Sequence, residues 1–117
     1  MDPLLSATRV VLVVFIMPEC GACEGYVPRL NAAVRRAGSP FFVYNGKGRA
    51  PKGSIPVLYY DVSQPNDEVQ AFASRYNVEA TPTTLILPKG EGAAKFEGGL
   101  ADNQIEHVLA LARNANR

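Results

Sequence analysis

Val10-Val11-Leu12-Val13-Val14-Phe15-Ile16-Met17-Pro18-Glu19-Cys20-Gly21-Ala22-Cys23 carries two structural signals in one short segment. Residues 10–16 are apolar throughout, rich in valine and without polar alternation, the pattern of a strand buried on both faces. Pro18 ends that run, and the only two cysteines of the chain follow at once. From residue 20 to about 37 the apolar positions Cys23, Val27, Leu30 and Val34 fall on one helical face, leaving Glu24, Arg29, Arg35 and Arg36 for water. Two thiols at this spacing, where a strand hands over to a helix N-terminus, suit reversible dithiol–disulfide chemistry.

Working outward, Gly38, Ser39 and Pro40 stop this helix, and Pro28 inside it removes one backbone hydrogen bond and is expected to bend it. Residues 41–44 are a candidate short strand leading into 46–53, a glycine-rich stretch with Lys47, Arg49 and Lys52. Residues 56–62 read as a strand with proline first, where a missing donor is tolerated. Residues 66–76 fit a helix with Val69, Phe72, Ala73 and Tyr76 on one face. Residues 83–87 and 93–97 are two strands around a turn at 88–92, an antiparallel hairpin. A last helix begins near Asp102, its candidate N-cap, and buries Ile105, Val108, Leu109 and Ala112. Residues 1–8 read as a short leader. The order is β-α-β-α-β-β-α, with the first strands parallel and the last two antiparallel.

The length, 117 residues, fits a single domain with one real core. A formal charge of +1 gives no overall field that would draw the chain to nucleic acid or to a membrane surface. Residues 10–17 resemble a secretory signal only superficially, because Asp2 and Arg9 precede them and no small-residue cleavage site separates them from the cysteines. No run approaches the roughly 20 apolar residues that span a bilayer. A lone Cys-x-x-Cys of this kind points to the cytoplasm, where such pairs are catalytic or metal-binding more often than structural.

Metal chemistry is poorly supported. Structural zinc takes about four ligands, and the chain offers Cys20, Cys23 and His107, with His107 read as a surface residue on the last helix. A purely structural disulfide gains little from so small a loop. Gly48 and Gly53 have phosphate-loop spacing, but Ser54 follows where a lysine is needed, so a nucleotide site is rejected and the loop is read as solvated.

With motif and element order together, the chain resembles the thioredoxin family over residues 9–115. The resemblance rests on the strand ending in Pro18, the Cys20-Gly21-Ala22-Cys23 motif, Pro28, and Ala80-Thr81-Pro82-Thr83. It implies an α/β thioredoxin fold, with a central mixed four-stranded sheet flanked by helices, and a cis proline at Pro82 facing the dithiol. The sequence departs from the family in several places. Glu19 replaces the tryptophan before the first cysteine, Ala22 replaces the proline inside the motif, and Val14 stands where the family has a buried acid that assists proton transfer at the second cysteine. Residues 38–55 form a longer connection, and Gly98-Gly99 with Asp102 resembles the glutathione-binding turn of glutaredoxins.

The expected function is thiol–disulfide oxidoreduction, most simply the reduction of protein disulfides, without a cofactor or metal. Cys20, first in the motif and nearest the helix end, is expected to be the nucleophile, and Cys23 the resolving thiol. Gly21 and Ala22 would admit a substrate chain, Thr81 and Pro82 would present backbone to it, and Gly98 would line the same place. Glu19 opposes a thiolate beside it, selects basic substrates, shuttles a proton, or is an inert surface charge; Glu24 is read as solvent-exposed, with substitution for the missing buried acid as the alternative. Electrons would come from a thioredoxin-reductase-like flavoprotein or from glutathione, and the protein is expected to be a monomer. A glutathione-linked oxidoreductase and a non-catalytic scaffold of the same fold remain the alternatives.

Overall fold

The computed structural model describes residues 8–44, 49–64, 66–88 and 92–117. Residues 1–7 of the leader and the start of the glycine-rich stretch, residues 46–48, lie outside those residues, as does most of the expected turn at 88–92.

The valine-rich run forms β1 (Val10–Ile16), the middle strand of the sheet. Residues Val10 to Phe15 are buried, five of them at 0% exposure, which is why no polar residue interrupts them. On one side β1 pairs in parallel with β3 (Ile55–Asp61); on the other it pairs antiparallel with β4 (Thr83–Pro88). β5 (Ala94–Glu97) completes the hairpin with β4.

The expected four-stranded sheet has a fifth strand. β2 (Phe41–Val43) pairs in parallel with β3 through Phe41↔Ile55 and Val43↔Val57, giving the order β2-β3-β1-β4-β5. It is held at both ends, because Ile55 N–H donates to the Pro40 carbonyl at 2.8 Å and Tyr44 N–H donates to that of Val57 at 3.0 Å. The 38–55 stretch therefore contributes an edge strand to the sheet.

Three helices cover the two faces. α1 (Gly21–Ala37) runs unbroken through Pro28, and α3 (Asp102–Ala115) lies on the same face of the sheet. α2 (Asp67–Arg75) covers the opposite face, where Phe72 and Tyr76 pack with Phe15 and Tyr60. Asn66 caps α2, its side-chain oxygen accepting from the N–H groups of Glu68 and Val69.

Two local expectations change. The buried face of α1 is Cys23, Tyr26, Leu30, Ala33 and Val34, with Val27 only half-buried. Tyr26 reaches the core because its hydroxyl meets Thr84 Oγ1 at 2.8 Å, leaving no unpaired polar atom. The N-cap of α3 is Ala101 and not Asp102; Gln104 reaches back with Oε1 to accept from Ala101 N–H at 2.8 Å, supplying half of a capping box.

Candidate active site

The strand pairings bring four chain segments to one edge of the sheet. β1 and β3 end there at Ile16 and Asp61, while Thr83 opens β4 opposite Phe15 and Glu97 closes β5 opposite Thr83. The connections leaving this edge hold Met17 to Cys20, Ala80 to Pro82, and Gly98 to Ala101. Cys20 is thus set beside Thr81, 61 positions further on in the sequence.

Cys20 is the N-cap of α1 in extended backbone conformation. Its sulfur accepts from Cys23 N–H at 3.1 Å and from the Thr81 hydroxyl at 3.4 Å, and lies 3.6 Å from the Thr81 carbonyl oxygen. Cys20 is half-buried, and Cys23, one turn into the helix, is buried. The two are joined as a disulfide with Cα atoms 5.2 Å apart. Donors aimed at a sulfur, at the positive end of a helix, stabilise negative charge on that atom. The outer sulfur therefore occupies the place best suited to a thiolate.

The Thr81–Pro82 peptide is cis, as the family resemblance implied. Pro82 is buried and its carbonyl accepts from Gly98 N–H at 2.8 Å, which ties the β5–α3 connection to the segment facing Cys20. Gly98 adopts φ +86°, a left-handed conformation that glycine takes without penalty. Gly99 lies over the motif: a Cβ there would stand 3.7 Å from the Ala22 carbonyl oxygen. Gly21 and Ala22 are exposed, and beyond the neighbouring residues and the backbone of its own helix nothing lies within 4 Å of where a Gly21 Cβ would stand, so the motif is open to an incoming chain.

Beneath the dithiol the structure answers the substitution at Val14. Val14 is fully buried and stands in register with Thr84 on one side and Tyr59 on the other. Tyr26 pairs with Thr84, and the Tyr59 hydroxyl donates to Asn31 Oδ1 at 2.5 Å. A pair of hydroxyl contacts thus flanks Val14 on this side of the sheet. Burial pushes the Tyr26 phenol up, with the Thr84 hydrogen bond and the Arg29 charge opposing; burial raises that of Tyr59 further, helped by Tyr26. Both phenols stay neutral near pH 7 and cannot serve there as a base.

Arg29 binds this assembly from outside. Its guanidinium donates to the Leu100 carbonyl at 2.7 Å, pairs with Asp102 at 3.2 Å and lies over the Tyr26 ring. Asp102, which the sequence compared with a glutathione-binding turn, is thus engaged by the cysteine-bearing helix. Glu24 is exposed, as expected, and so is His107. Among the described residues no three of His, Cys, Asp and Glu gather where they could hold a metal ion. Tyr26, Thr84 and Arg29 were not singled out by sequence reasoning. The helical spacing of Cys23 and Tyr26 was the available signal, since residues three apart share a face.

Comparisons with known proteins agree with this geometry. A family model for thioredoxin matches residues 2–111. The chain is 31% identical to the chloroplastic thioredoxin Y of Oryza sativa subsp. japonica, over 96% of this chain and 59% of that protein. It is 30% identical to human protein disulfide-isomerase A4, over 92% of this chain and 14% of the other. The chain spans between 50% and 59% of the length of the plant chloroplastic thioredoxins Y, Y1 and Y2. The solved structure of Fasciola hepatica thioredoxin superposes with a TM-score of 0.63 at 21% identity, covering 92% of this chain and 85% of that one. Chloroplastic thioredoxin z superposes with a TM-score of 0.62 at 22% identity, covering 93% and 82%. With its family match spanning nearly the whole sequence, its sheet order and its paired cysteines at the head of α1, the chain belongs to the thioredoxin family.

Proposed function

We propose that this chain is a thiol–disulfide oxidoreductase that reduces disulfides in other proteins. The observation that carries the reading is the placement of Cys20 Sγ at a helix N-terminus, with two donors on it and the Thr81 backbone beside it. In the reduced protein, Cys20 thiolate attacks one sulfur of a client disulfide, forming a mixed disulfide and releasing the other client sulfur as a thiolate. Cys23, deprotonated, then attacks Cys20 Sγ. The Cys20–Cys23 disulfide forms, the second client sulfur leaves, and two electrons have passed to the client, whose thiolates take protons from water. Gly21 and Ala22 leave room for the client, and Thr81, Pro82 and Gly98 form the backbone wall against which it lies.

A two-electron thiol reductant, one dithiol or two monothiol molecules, must then reopen the disulfide. We take this to be a thioredoxin-reductase-like flavoprotein, with glutathione as the second reading on the strength of the Gly98-Gly99 turn. We place the protein in the cytoplasm as a monomer, because a paired Cys-x-x-Cys works as a redox couple where glutathione keeps thiols reduced. No helix among the described residues is long and apolar enough to cross a membrane.

The test separates an enzyme from a scaffold of the same fold. Cys20→Ser is expected to abolish insulin-disulfide reduction with dithiothreitol as donor. Cys23→Ser is expected to accumulate mixed disulfides with clients that dithiothreitol releases. Full turnover by Cys20→Ser refutes the assignment.

A further inference from the structure

The formal charge of +1 conceals a strong separation of charge along the strand direction. At the dithiol edge stand Glu19, directly before Cys20; Glu79, two residues before Thr81; Asp61, at the end of β3; and Glu97, at the end of β5 opposite Thr83. The opposite end carries cations. Arg9 precedes β1, Arg35 and Arg36 close α1, Arg49 and Lys52 precede β3, and Arg113 lies in the last turn of α3, donating to the Ala37 carbonyl.

Part of this pattern has an ordinary cause. Glu24, Asp67, Glu68 and Asp102 lie in the first turns of helices, and Arg35, Arg36 and Arg113 in last turns, where the helix dipole favours them. Glu19 stands one residue before the N-cap of α1, where the dipole also favours it, but Asp61, Glu79 and Glu97 lie away from any helix start and the dipole explains none of those three. Two cations stand near this end: Arg29 is taken up by Asp102 at 3.2 Å, and Lys95 lies in β5. Lys95 answers Glu97 at 3.3 Å, while Glu19 and Glu79 make no ion pair among the described residues. Asp61 is held as a carboxylate by the Ser63 hydroxyl and N–H, at 2.6 and 2.8 Å. Glu19 is also kept at φ +61°, a left-handed conformation that residues other than glycine seldom adopt. A carboxylate beside a sulfur that must become anionic works against the thiolate unless it serves the encounter with substrate.

We infer that the acidic edge around Cys20 makes this protein selective for disulfides flanked by lysine or arginine, and that Glu19 and Glu79 are its specificity-determining residues. The inference rests on the dithiol reading above and names the substrate class for that same site. Like-signed clients are repelled and basic ones are concentrated at the sulfur, so selectivity is expressed in the second-order rate of attack and is screened by salt. Glutathione disulfide, which carries net negative charge, falls on the disfavoured side.

The test uses three small disulfides of similar chain length: cystamine, a dication; bis(2-hydroxyethyl) disulfide, neutral; and 3,3′-dithiodipropionate, a dianion. The pre-reduced full chain is mixed with each, and each rate is divided by that of uncharged dithiothreitol with the same disulfide, which removes differences in leaving-group chemistry. The expected normalised preference for cystamine over dithiodipropionate is roughly tenfold at about 10 mM ionic strength, collapsing toward unity near 1 M. Glu19→Gln with Glu79→Gln is expected to reduce the preference several-fold, and Arg35→Gln, at the far end of α1, to leave it in place. A preference near unity at low salt, or one insensitive to salt, overturns the inference while leaving the dithiol reading standing. Failure to reduce any of the three overturns both.

Discussion

Tyr26 and Thr84 join the cysteine-bearing helix to the strand that follows Pro82, and both are at 0% exposure. Tyr26→Phe removes the phenol oxygen without altering the ring, leaving the Thr84 hydroxyl buried without its partner; the cost is about 1–3 kcal/mol. Thr84→Val, nearly isosteric, strands the phenol instead and costs a similar amount. Replacing both partners leaves no orphan, so the double variant should lose no more than about 1 kcal/mol. For a chain of 117 residues, each kcal/mol corresponds to about 4 °C in Tm. The single variants should then melt roughly 4–12 °C low, with the double variant above the lower single. Urea denaturation of the four oxidised proteins, read by far-UV circular dichroism, gives the cycle directly. If the two single losses simply add in the double variant, the hydrogen bond is not what holds these groups, and the account of the polar pair beneath the dithiol is refuted.

Gly98→Ala forces a Cβ into φ +86° and should cost about 1–2 kcal/mol, whereas Gly99→Ala makes only an ordinary contact with Ala22 and should stay within about 0.5 kcal/mol; thermal melts of the two variants decide it. Asn66→Ala removes the acceptor for two N–H groups of α2 and should cost about 1 kcal/mol, with faster amide exchange in the first turn of that helix. Tyr26 and Tyr59 have folded-state pKa values above their unfolded value of about 10. Their contribution is complete below about pH 10 and is lost as pH rises through the folded values, so stability should fall on the alkaline side; Tyr59→Phe should flatten that fall, and an unchanged slope would count against it.

The parts of the molecule that could be read directly are those fixed by local rules. β1 is an unbroken apolar run because both of its faces are covered, and α3 buries Ile105, Val108, Leu109 and Ala112 at helical spacing, as expected. The dithiol and Pro82 were legible because each is a short motif. What escaped depends on partners distant in sequence. The burial of Tyr26 depends on a hydroxyl 58 positions away that pairs with its own. β2 was a candidate strand in the sequence, and what escaped was its place in the sheet, because its three half-buried or exposed residues join only through the edge that β3 offers. The cap of α3 moved by one residue because the acceptor came from Gln104, inside the helix, and not from Asp102. The charge separation is invisible in a net charge of +1, since it exists only once the strands set one end of the sheet against the other.

The unequal covering of the two sheet faces has a dynamic consequence. α1 and α3 anchor their face with five and four buried residues, while α2 buries only Ala73 fully. The free energy needed to detach an element grows with the apolar area it hides, so α2 should open at the lowest cost, ahead of global unfolding. The chain leaves α2 through Val78 and Glu79 straight into Thr81 and Pro82. One half of the redox site is carried by the helix with the most buried residues, while the other half lies between the helix with the fewest and the start of β4. Local opening of α2 is therefore expected to loosen the approach to Thr81 and Pro82 from one side only, the β4 side staying fixed by the sheet.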